Sequence, residues 1–237
     1  MTEYVIHPLA VGINQTDQGI MTYQQGYGRR ILLPIYSFYL SGGDGHILVD
    51  TGLEEFLVPA GAEEECGFEV LEFEAALARV GITPGDVDLV IQTHLHNDHC
   101  ENTYKCRNAR VVVQKAEYEF ALNPHPIDHR YFPELFEGLN FDLVEGDREL
   151  APGLEVLFTP GHTPGGQSVA VRTAAGKAVI TGFCANDQNF PPGRPVVAPG
   201  VHLDVIQAYE SARRVRETAD LLLPLHDLSL GRKGKIP

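Results

Sequence analysis

Short apolar segments that lead directly into polar, ligand-capable residues recur along this chain. Segment 87–92 is apolar enough to be a buried strand, and the residues after it read THLHNDHC at positions 93–100. Three more segments show the same arrangement. They are 46–49 before Asp50, 154–158 before His162, and 221–225 before His226. The pattern predicts strands that each deliver a polar group to a defined point.

The rest of the pattern predicts a chain that mixes strands and helices. Segments 31–40 and 46–49 flank Asp44-Gly45 and read as a β-hairpin, because Asp-Gly supplies the positive φ angles of such turns. Helices are predicted over 71–80, 116–122 and 204–222. Asp204 is the expected N-cap of the last helix.

Length and composition limit the classes of protein that this chain can be. With 237 residues, 43% of them apolar, residues 1–237 suffice for a single domain with a substantial core. The formal net charge of −14 argues against nucleic acid and anionic membrane surfaces, since both attract basic proteins. We therefore expect neither a nucleic-acid nor a membrane partner; the small-molecule partner that we expect follows from the chemistry described below.

Cysteine usage and the start of the chain bear on the compartment. Cys66, Cys100, Cys106 and Cys184 have no repeated spacing and do not suggest a disulfide framework. The first residues lack a basic, apolar signal segment, and no window reaches the roughly 20 apolar residues of a membrane-spanning helix. These observations favour a cytoplasmic protein.

The motif at 93–100 places four metal-ligand side chains within six residues, namely His94, His96, Asp98 and His99. On extended chain, residues two apart face the same way, so His94 and His96 can bind one ion. Where the chain then turns, Asp98 and His99 can point to a second position nearby. Imidazole and carboxylate together suit zinc, iron or manganese rather than calcium or magnesium. A polar loop that happens to hold three histidines is the alternative, and the tight spacing of a rare residue argues against it.

From Asp50 to His226, the order of the four apolar segments and of the polar residues that follow them resembles that of the metallo-β-lactamase superfamily. Stretches 114–118 and 165–168 and the His226-Asp227 pair are most similar to the N-acyl-homoserine lactonase group. The resemblance implies an α+β fold, a four-layer αβ/βα sandwich in which two β-sheets pack face to face with helices outside. It also implies an active site at one edge, where the strands end.

The resemblance further implies a cofactor of one or two metal ions, with zinc the first expectation. One ion would be bound by His94, His96 and His162, and the other by Asp98, His99 and His226. Asp50 and Asp227 would orient the imidazoles by accepting hydrogen bonds from their outer N–H groups.

One position departs from the family pattern. The family normally has an aspartate that bridges the two metals, and Phe183 holds that register here. Cys184 could replace the carboxylate as a thiolate, Asp187 could also replace it, or Cys184 could be an ordinary buried thiol. Asn186 stands where the lactonases often carry a tyrosine that assists the substrate carbonyl.

Two segments, 21–30 and 123–132, are expected to shape a substrate pocket. In related lactonases the N-terminal loop reaches over the metals, so Tyr23 and Tyr27 could stack on a substrate or donate a hydroxyl. Surface packing or a contact in a homodimer is the alternative for these tyrosines. Phe183 and Phe190 would make the pocket apolar, and Asn186 would contact the substrate beside them.

The implied chemistry is hydrolysis of a lactone or a related cyclic ester or amide. A bound ion lowers the pKa of its water towards about 7, so hydroxide becomes available at neutral pH to attack a carbonyl carbon. Asp98 would accept the proton of the attacking water and deliver it to the leaving group. Two alternatives stay open: a thioesterase of the glyoxalase II kind, and a degenerate, non-catalytic binding protein of the same fold.

Overall fold

Two mixed β-sheets form the framework of residues 2–237, the part of the chain that this computed structural model describes. The first sheet contains β1 (Val5–Asp17), β2 (Arg30–Ser41), β3 (Ile47–Val49), β4 (Leu89–Ile91), β5 (Arg110–Gln114) and β6 (Asn140–Val144), adjacent in chain order. The second contains β7 (Arg148–Ala151), β8 (Leu154–Phe158), β9 (Gln167–Thr173), β10 (Gly176–Ile180) and β11 (Leu221–Leu223), again adjacent in chain order.

Helices lie between and after these strands. They are α1 (Gln18–Met21), α2 (Ala62–Cys66), α3 (Phe73–Arg79), α4 (Asn97–Cys100), α5 (Lys115–Leu122), α6 (Val205–Thr218) and α7 (Leu228–Lys233). The predicted helices over 71–80 and 116–122 are confirmed as α3 and α5. Among residues 2–237, no helix combines the length and the apolar character that crossing a bilayer requires.

The core lies in layers. Because successive side chains of a strand point to opposite faces, Ile91 of β4 packs with Val169 of β9 between the sheets, whereas Val90 packs with Leu77 of α3 on the outer face. On the other side, Val179 of β10 packs with side chains of α6. The order helix, sheet, sheet, helix confirms the predicted four-layer α+β sandwich.

Parallel pairing brings strand ends to a common edge in each sheet. Val49 of β3 is in register with Ile91 of β4, and Ile180 of β10 is in register with Leu223 of β11. The strands that precede Asp50 and the 93–100 motif therefore end side by side.

The end of α6 differs from the prediction. Asp204 is its N-cap and accepts hydrogen bonds from the N–H groups of Ile206 and Gln207, as expected. The helix ends at Thr218 rather than at 222, since Leu221–Leu223 instead pair with β10. Tertiary pairing thus overrides the helical period of this apolar run.

The long strand β1 was not predicted. Its first six residues alternate between half-buried and buried positions, which is the period of a strand with one face on the core. His7 and Pro8 interrupt the apolar pattern there, and Pro8 is tolerated because β1 lies at the edge of its sheet.

Gly161 fixes the turn that carries His162 against α6. Its φ of +119° is favourable for glycine alone, and a Cβ there would lie 2.1 Å from the backbone nitrogen of Ala208. Its carbonyl also accepts hydrogen bonds from the N–H groups of Leu203 and Asp204. The turn after β8 can therefore approach α6 closely.

We expect Gly161→Ala to lower the free energy of unfolding by about 3 kcal/mol or more, because the left-handed backbone and the clash with α6 both oppose a side chain. Gly193→Ala is the matched control. Gly193 also has a positive φ, of +68°, but no atom of residues 2–237 lies within 4 Å of its Cβ position. That variant should lose only about 1–2 kcal/mol. Equal losses in urea unfolding would show that the contact with α6 does not hold the turn.

Candidate metal centre

Six donor side chains converge in two adjoining groups at the edge where the strands end. In each group the ligand atoms all lie within 4.8 Å of one another. The first group is His94, His96 and His162, and the second is Asp98, His99 and His226. The groups adjoin, since the ring centroids of His94 and His99 are 4.2 Å apart.

Different elements supply the donors. The loop after β4 carries His94 and His96, and the short helix α4 carries the next two donors of the motif. The turn after β8 carries His162, and the turn after β11 carries His226. The five imidazoles are buried, whereas 27% of the Asp98 side chain is exposed, so Asp98 is the donor that faces solvent.

Each imidazole of the first group is oriented through its other ring nitrogen. His94 Nδ1 is 3.0 Å from Thr93 Oγ1, and His96 Nε2 is 3.0 Å from an Asp128 carboxylate oxygen. His162 Nδ1 donates to the carbonyl oxygen of Val201 at 2.6 Å. The nitrogens left for a ligand are therefore Nε2 of His94 and His162, and Nδ1 of His96.

The second group is oriented in the same way. His99 Nδ1 donates to Asp50 Oδ2 at 2.8 Å, and His226 Nδ1 donates to the carbonyl oxygen of Pro34 at 2.9 Å. The Asp98 carboxylate lies 3.4 Å from His99 Nε2. Asp50, expected from the sequence to orient an imidazole, lies where that role requires it.

At neutral pH the imidazole of His99 is charged, whereas those of His94 and His226 are neutral. Burial lowers the pKa of His94 well below its ordinary value and lowers the pKa of His226 to about 4, so both rings are neutral. Burial alone would also lower the pKa of His99, but the carboxylates of Asp98 and Asp50 raise it to about 10. A metal cation in the second group would replace the proton of His99.

The residues present fit a metal ion. His94 Nε2 is buried and has no hydrogen-bond partner among residues 2–237, although buried polar atoms are nearly always paired. Three imidazoles in one group and two imidazoles with a carboxylate in the other are donor sets that suit zinc. The unpartnered nitrogen points to a ligand that the fold itself does not supply.

Three sequence-predicted residues lie elsewhere. Among the described residues, no imidazole donates a hydrogen bond to the Asp227 carboxylate. It accepts from Ser229 N–H, and so caps α7, and from Asp187 N–H. Cys184 is in neither donor group, and its Sγ lies 3.4 Å from Met21 Sδ in an apolar cluster. Asp187 also lies outside both groups.

The residues expected to contact substrate have diverse surroundings. Tyr23 is half-buried, with its ring 5.2 Å from that of His202, whereas 73% of Tyr27 is exposed. Phe183 is buried between the second sheet and α6, with Phe190 packed against it. The Phe183 side chain therefore lies in the core layer between the outer face of this sheet and α6. Asn186 lines a cavity of about 250 Å³ that reaches His226.

Glu117 is a structural residue of the site that sequence reasoning missed. It is fully buried, and its carboxylate accepts hydrogen bonds from Leu95 N–H, Gly165 N–H and the Tyr131 hydroxyl. Leu95 lies between two donors of the first group, and Gly165 lies in the turn after His162. A glutamate on an otherwise buried helix face was the available signal.

Asp128 and Arg130 were also missed. Asp128 is buried and accepts from His96, and the Arg130 guanidinium donates to both Asp128 oxygens at 2.7 Å. Both residues come from the irregular segment 123–132, where no periodicity marks one side chain as inward-facing.

Comparison with known sequences identifies the family. A model of the metallo-β-lactamase superfamily matches residues 30–223. An N-acyl homoserine lactonase of Bacillus thuringiensis is 31% identical over 232 residues, covering 88% of this chain and 87% of the relative. N-acyl homoserine lactonase AttM of Rhizobium radiobacter is 29% identical over 238 residues, covering 93% and 90%.

Solved structures of similar fold lead to the same family. A mutant of B. thuringiensis AiiA with N-decanoyl-L-homoserine bound at the active site has a TM-score of 0.78 and 28% identity, over 98% of this chain and 97% of that chain. An N-acyl homoserine lactone hydrolase with N-hexanoyl-L-homoserine bound at its catalytic metal centre gives the same four values, 0.78, 28%, 98% and 97%.

These similarities confirm the predicted fold, the predicted likeness to N-acyl homoserine lactonases, and metal-dependent hydrolysis as the class of activity. Because the family model spans most of its length and its donor side chains gather at the edge of the sheets, the chain belongs to the metallo-β-lactamase superfamily.

Proposed function

We propose that this chain hydrolyses lactones, with zinc as its cofactor and N-acyl homoserine lactones as the first substrates to test. The observation that carries the proposal is the pair of adjoining donor groups, one of which contains a buried imidazole nitrogen with no hydrogen-bond partner in the described part of the chain. Relatives named as N-acyl homoserine lactonases at up to 31% identity support the choice of a cyclic ester.

In this proposal His94, His96 and His162 hold one ion, and Asp98, His99 and His226 hold a second. Bound zinc would supply Lewis acidity to polarise the lactone carbonyl and to lower the pKa of a water. We assign Asp50 to the orientation of His99, where its carboxylate also bonds Thr93.

Asp98 is assigned the proton transfer. Burial alone would raise the pKa of its carboxyl, but the neighbouring His99 holds that pKa well below its usual range, so the group is ionised. Its partial exposure gives it access to the attacking water and to the leaving alkoxide of the opened ring.

Two concavities offer places for the substrate, and a donor side chain lines the first of them. One is the cavity beside His226, where Asn186 supplies an amide. The other is an apolar cleft of about 350 Å³ lined by Tyr23, Val196, Ile206 and others. We assign the cleft to an apolar acyl chain. Phe190 and the exposed Tyr27 do not belong to the lining of this cleft. Phe183 would affect the substrate only by supporting Phe190.

A thioesterase of the glyoxalase II kind is the second candidate. Arg29 and Arg232 line the cavity that reaches His226, and such cations would suit the carboxylates of a thiol carrier. A zinc-loaded protein that cleaves neither ester class would instead favour a binding protein of this fold.

The remaining assignments concern the whole chain. We propose that residues 1–237 make up one hydrolase domain, since the largest apolar cluster draws on both sheets. We propose a cytoplasmic location because the four cysteines are free thiols and all are buried. A homodimer and the absence of nucleic-acid and membrane partners stay predictions.

The assay that tests the proposal compares an N-acyl homoserine lactone with a glutathione thioester on zinc-loaded protein. We expect faster lactone hydrolysis. His96→Ala should lose one zinc ion and at least 100-fold in rate, because a ligand and its ion are removed together. The exposed His125 lies outside both groups, so His125→Ala is the control. Preference for the thioester would overturn the lactonase proposal.

Asp98→Asn tests the proton transfer separately from the metal. The amide keeps the shape but loses the basicity, so kcat should fall by about 100-fold or more at full zinc loading. Zinc content is measured on the same sample by elemental analysis. Near-native turnover with two ions bound would remove Asp98 from this role.

Cys184→Ser tests the thiolate alternative to the missing bridging aspartate. We expect unchanged zinc content, because burial raises the pKa of this thiol to about 12 and its sulfur packs on Met21. The hydroxyl should cost about 1–3 kcal/mol of stability. Cys106→Ser, in the same apolar cluster, is the matched control. Loss of one zinc ion in Cys184→Ser alone would instead establish a thiolate ligand.

A further inference from the structure

The irregular segment that contains Asp128 and Arg130 is held firmly over the first donor group. The backbone carbonyl of Arg130 accepts a hydrogen bond from Asn97 N–H at 3.0 Å. The Tyr131 ring lies 4.7 Å from the His96 ring, and its hydroxyl donates to Glu117 at 2.8 Å. The segment therefore covers His96 from outside and has little freedom to move away.

Asp128 and Arg130 form a two-point ion pair directly behind His96. Arg130 Nε donates to Asp128 Oδ1 and Nη2 donates to Oδ2, both at 2.7 Å. The Asp128 side chain is 2% exposed and the Arg130 side chain is 30% exposed. Such a fork-to-carboxylate pair fixes the rotation of the carboxylate as well as its position.

The other imidazoles do not have this support. His162 and His226 donate to backbone carbonyls, which the fold already fixes. His99 donates to Asp50, whose two oxygens are held by Thr93 rather than by a cation. Among the five imidazoles, only His96 relies on a carboxylate that does not directly follow a strand and that an arginine holds.

We propose that Arg130 is a positioning residue of the metal centre: it restrains Asp128, which in turn holds His96 with Nδ1 directed at the three-histidine group. The inference rests on the metal site of the proposed function but not on its substrate. It assigns Arg130 a role in metal affinity rather than in contact with the lactone.

The chain of contacts predicts an order of effects. Without the guanidinium, Asp128 can rotate and admit water, so His96 is no longer held in one orientation. Loss of such outer partners commonly weakens metal binding by about 10–100-fold. We expect about 10-fold weaker zinc binding in Arg130→Gln, more in Asp128→Asn, and partial recovery in Arg130→Lys, which keeps the charge but not the fork.

Chelator competition on variants that also carry His226→Ala measures the three-histidine group by itself, without any substrate. The double variant Asp128→Asn/Arg130→Gln should bind zinc no more weakly than Asp128→Asn, because Arg130 acts through Asp128. Arg110→Gln removes an exposed pair with Asp142 and is the matched control, with affinity unchanged.

The inference would be overturned if the two substitutions multiplied each other's effect on zinc affinity in the double variant. It would also be overturned if Arg130→Gln bound zinc as tightly as the unsubstituted protein, or more tightly. If Arg130→Gln raised the KM for substrate while zinc affinity stayed native, the inference would also be overturned, and Arg130 would instead be assigned a contact with the substrate. If Arg130→Gln does not fold, Arg130→Lys carries the comparison. A chain that binds zinc as expected yet leaves lactones intact would refute the proposed function alone.

Discussion

The geometry of the centre depends on one buried carboxylate, that of Asp50. Its oxygens accept hydrogen bonds from Thr93 N–H and Oγ1–H at 2.7 Å and from His99 Nδ1 at 2.8 Å, so it joins the ends of β3 and β4 to the second donor group. Asp50 adopts a φ of 58°, a left-handed conformation that aspartate tolerates better than most residues. Since β3 and β4 are parallel and in register, any slip of one strand would break all three bonds.

A second buried carboxylate joins the two sheets where the first donor group straddles them. His94 and His96 follow β4 of the first sheet, whereas His162 follows β8 of the second. Glu117 accepts from Leu95 N–H on one side and Gly165 N–H on the other, at 3.0 Å each. Removing this carboxylate would leave two buried N–H groups without partners, and each such group costs about 1–3 kcal/mol. The spacing between the histidines is therefore set by the fold before any metal binds.

The sequence carries information about this centre wherever the chemistry is local. Donors that follow apolar strands could be predicted because strand, turn and ligand are consecutive, and resemblance added the pairing of distant histidines. The partner of His226 could not be predicted, because it is the backbone carbonyl of Pro34 and every residue type has such a carbonyl. Asp128 could not be predicted for a different reason: an irregular segment has no periodicity that distinguishes an inward-facing side chain. The run at 221–223 shows the third limit, because its pairing with β10 decides between strand and helix.

The hydrogen-bond acceptors of the imidazoles also differ in charge between the two groups. In the first group the charge of Asp128 is offset by Arg130, and the other partners are a hydroxyl and a carbonyl. In the second group Asp98 is itself a ligand candidate, and no lysine or arginine of residues 2–237 pairs with Asp50 behind His99. A carboxylate behind an imidazole makes the ring a stronger donor. The second group would therefore neutralise more of a bound cation's charge, and the three-histidine group would leave more of that charge to polarise a carbonyl oxygen. The ion pair behind His96 therefore has two opposed effects on a bound cation: its geometry holds the imidazole in place, while the guanidinium offsets the charge of Asp128. The proposed positioning role of Arg130 requires the first effect to be the larger.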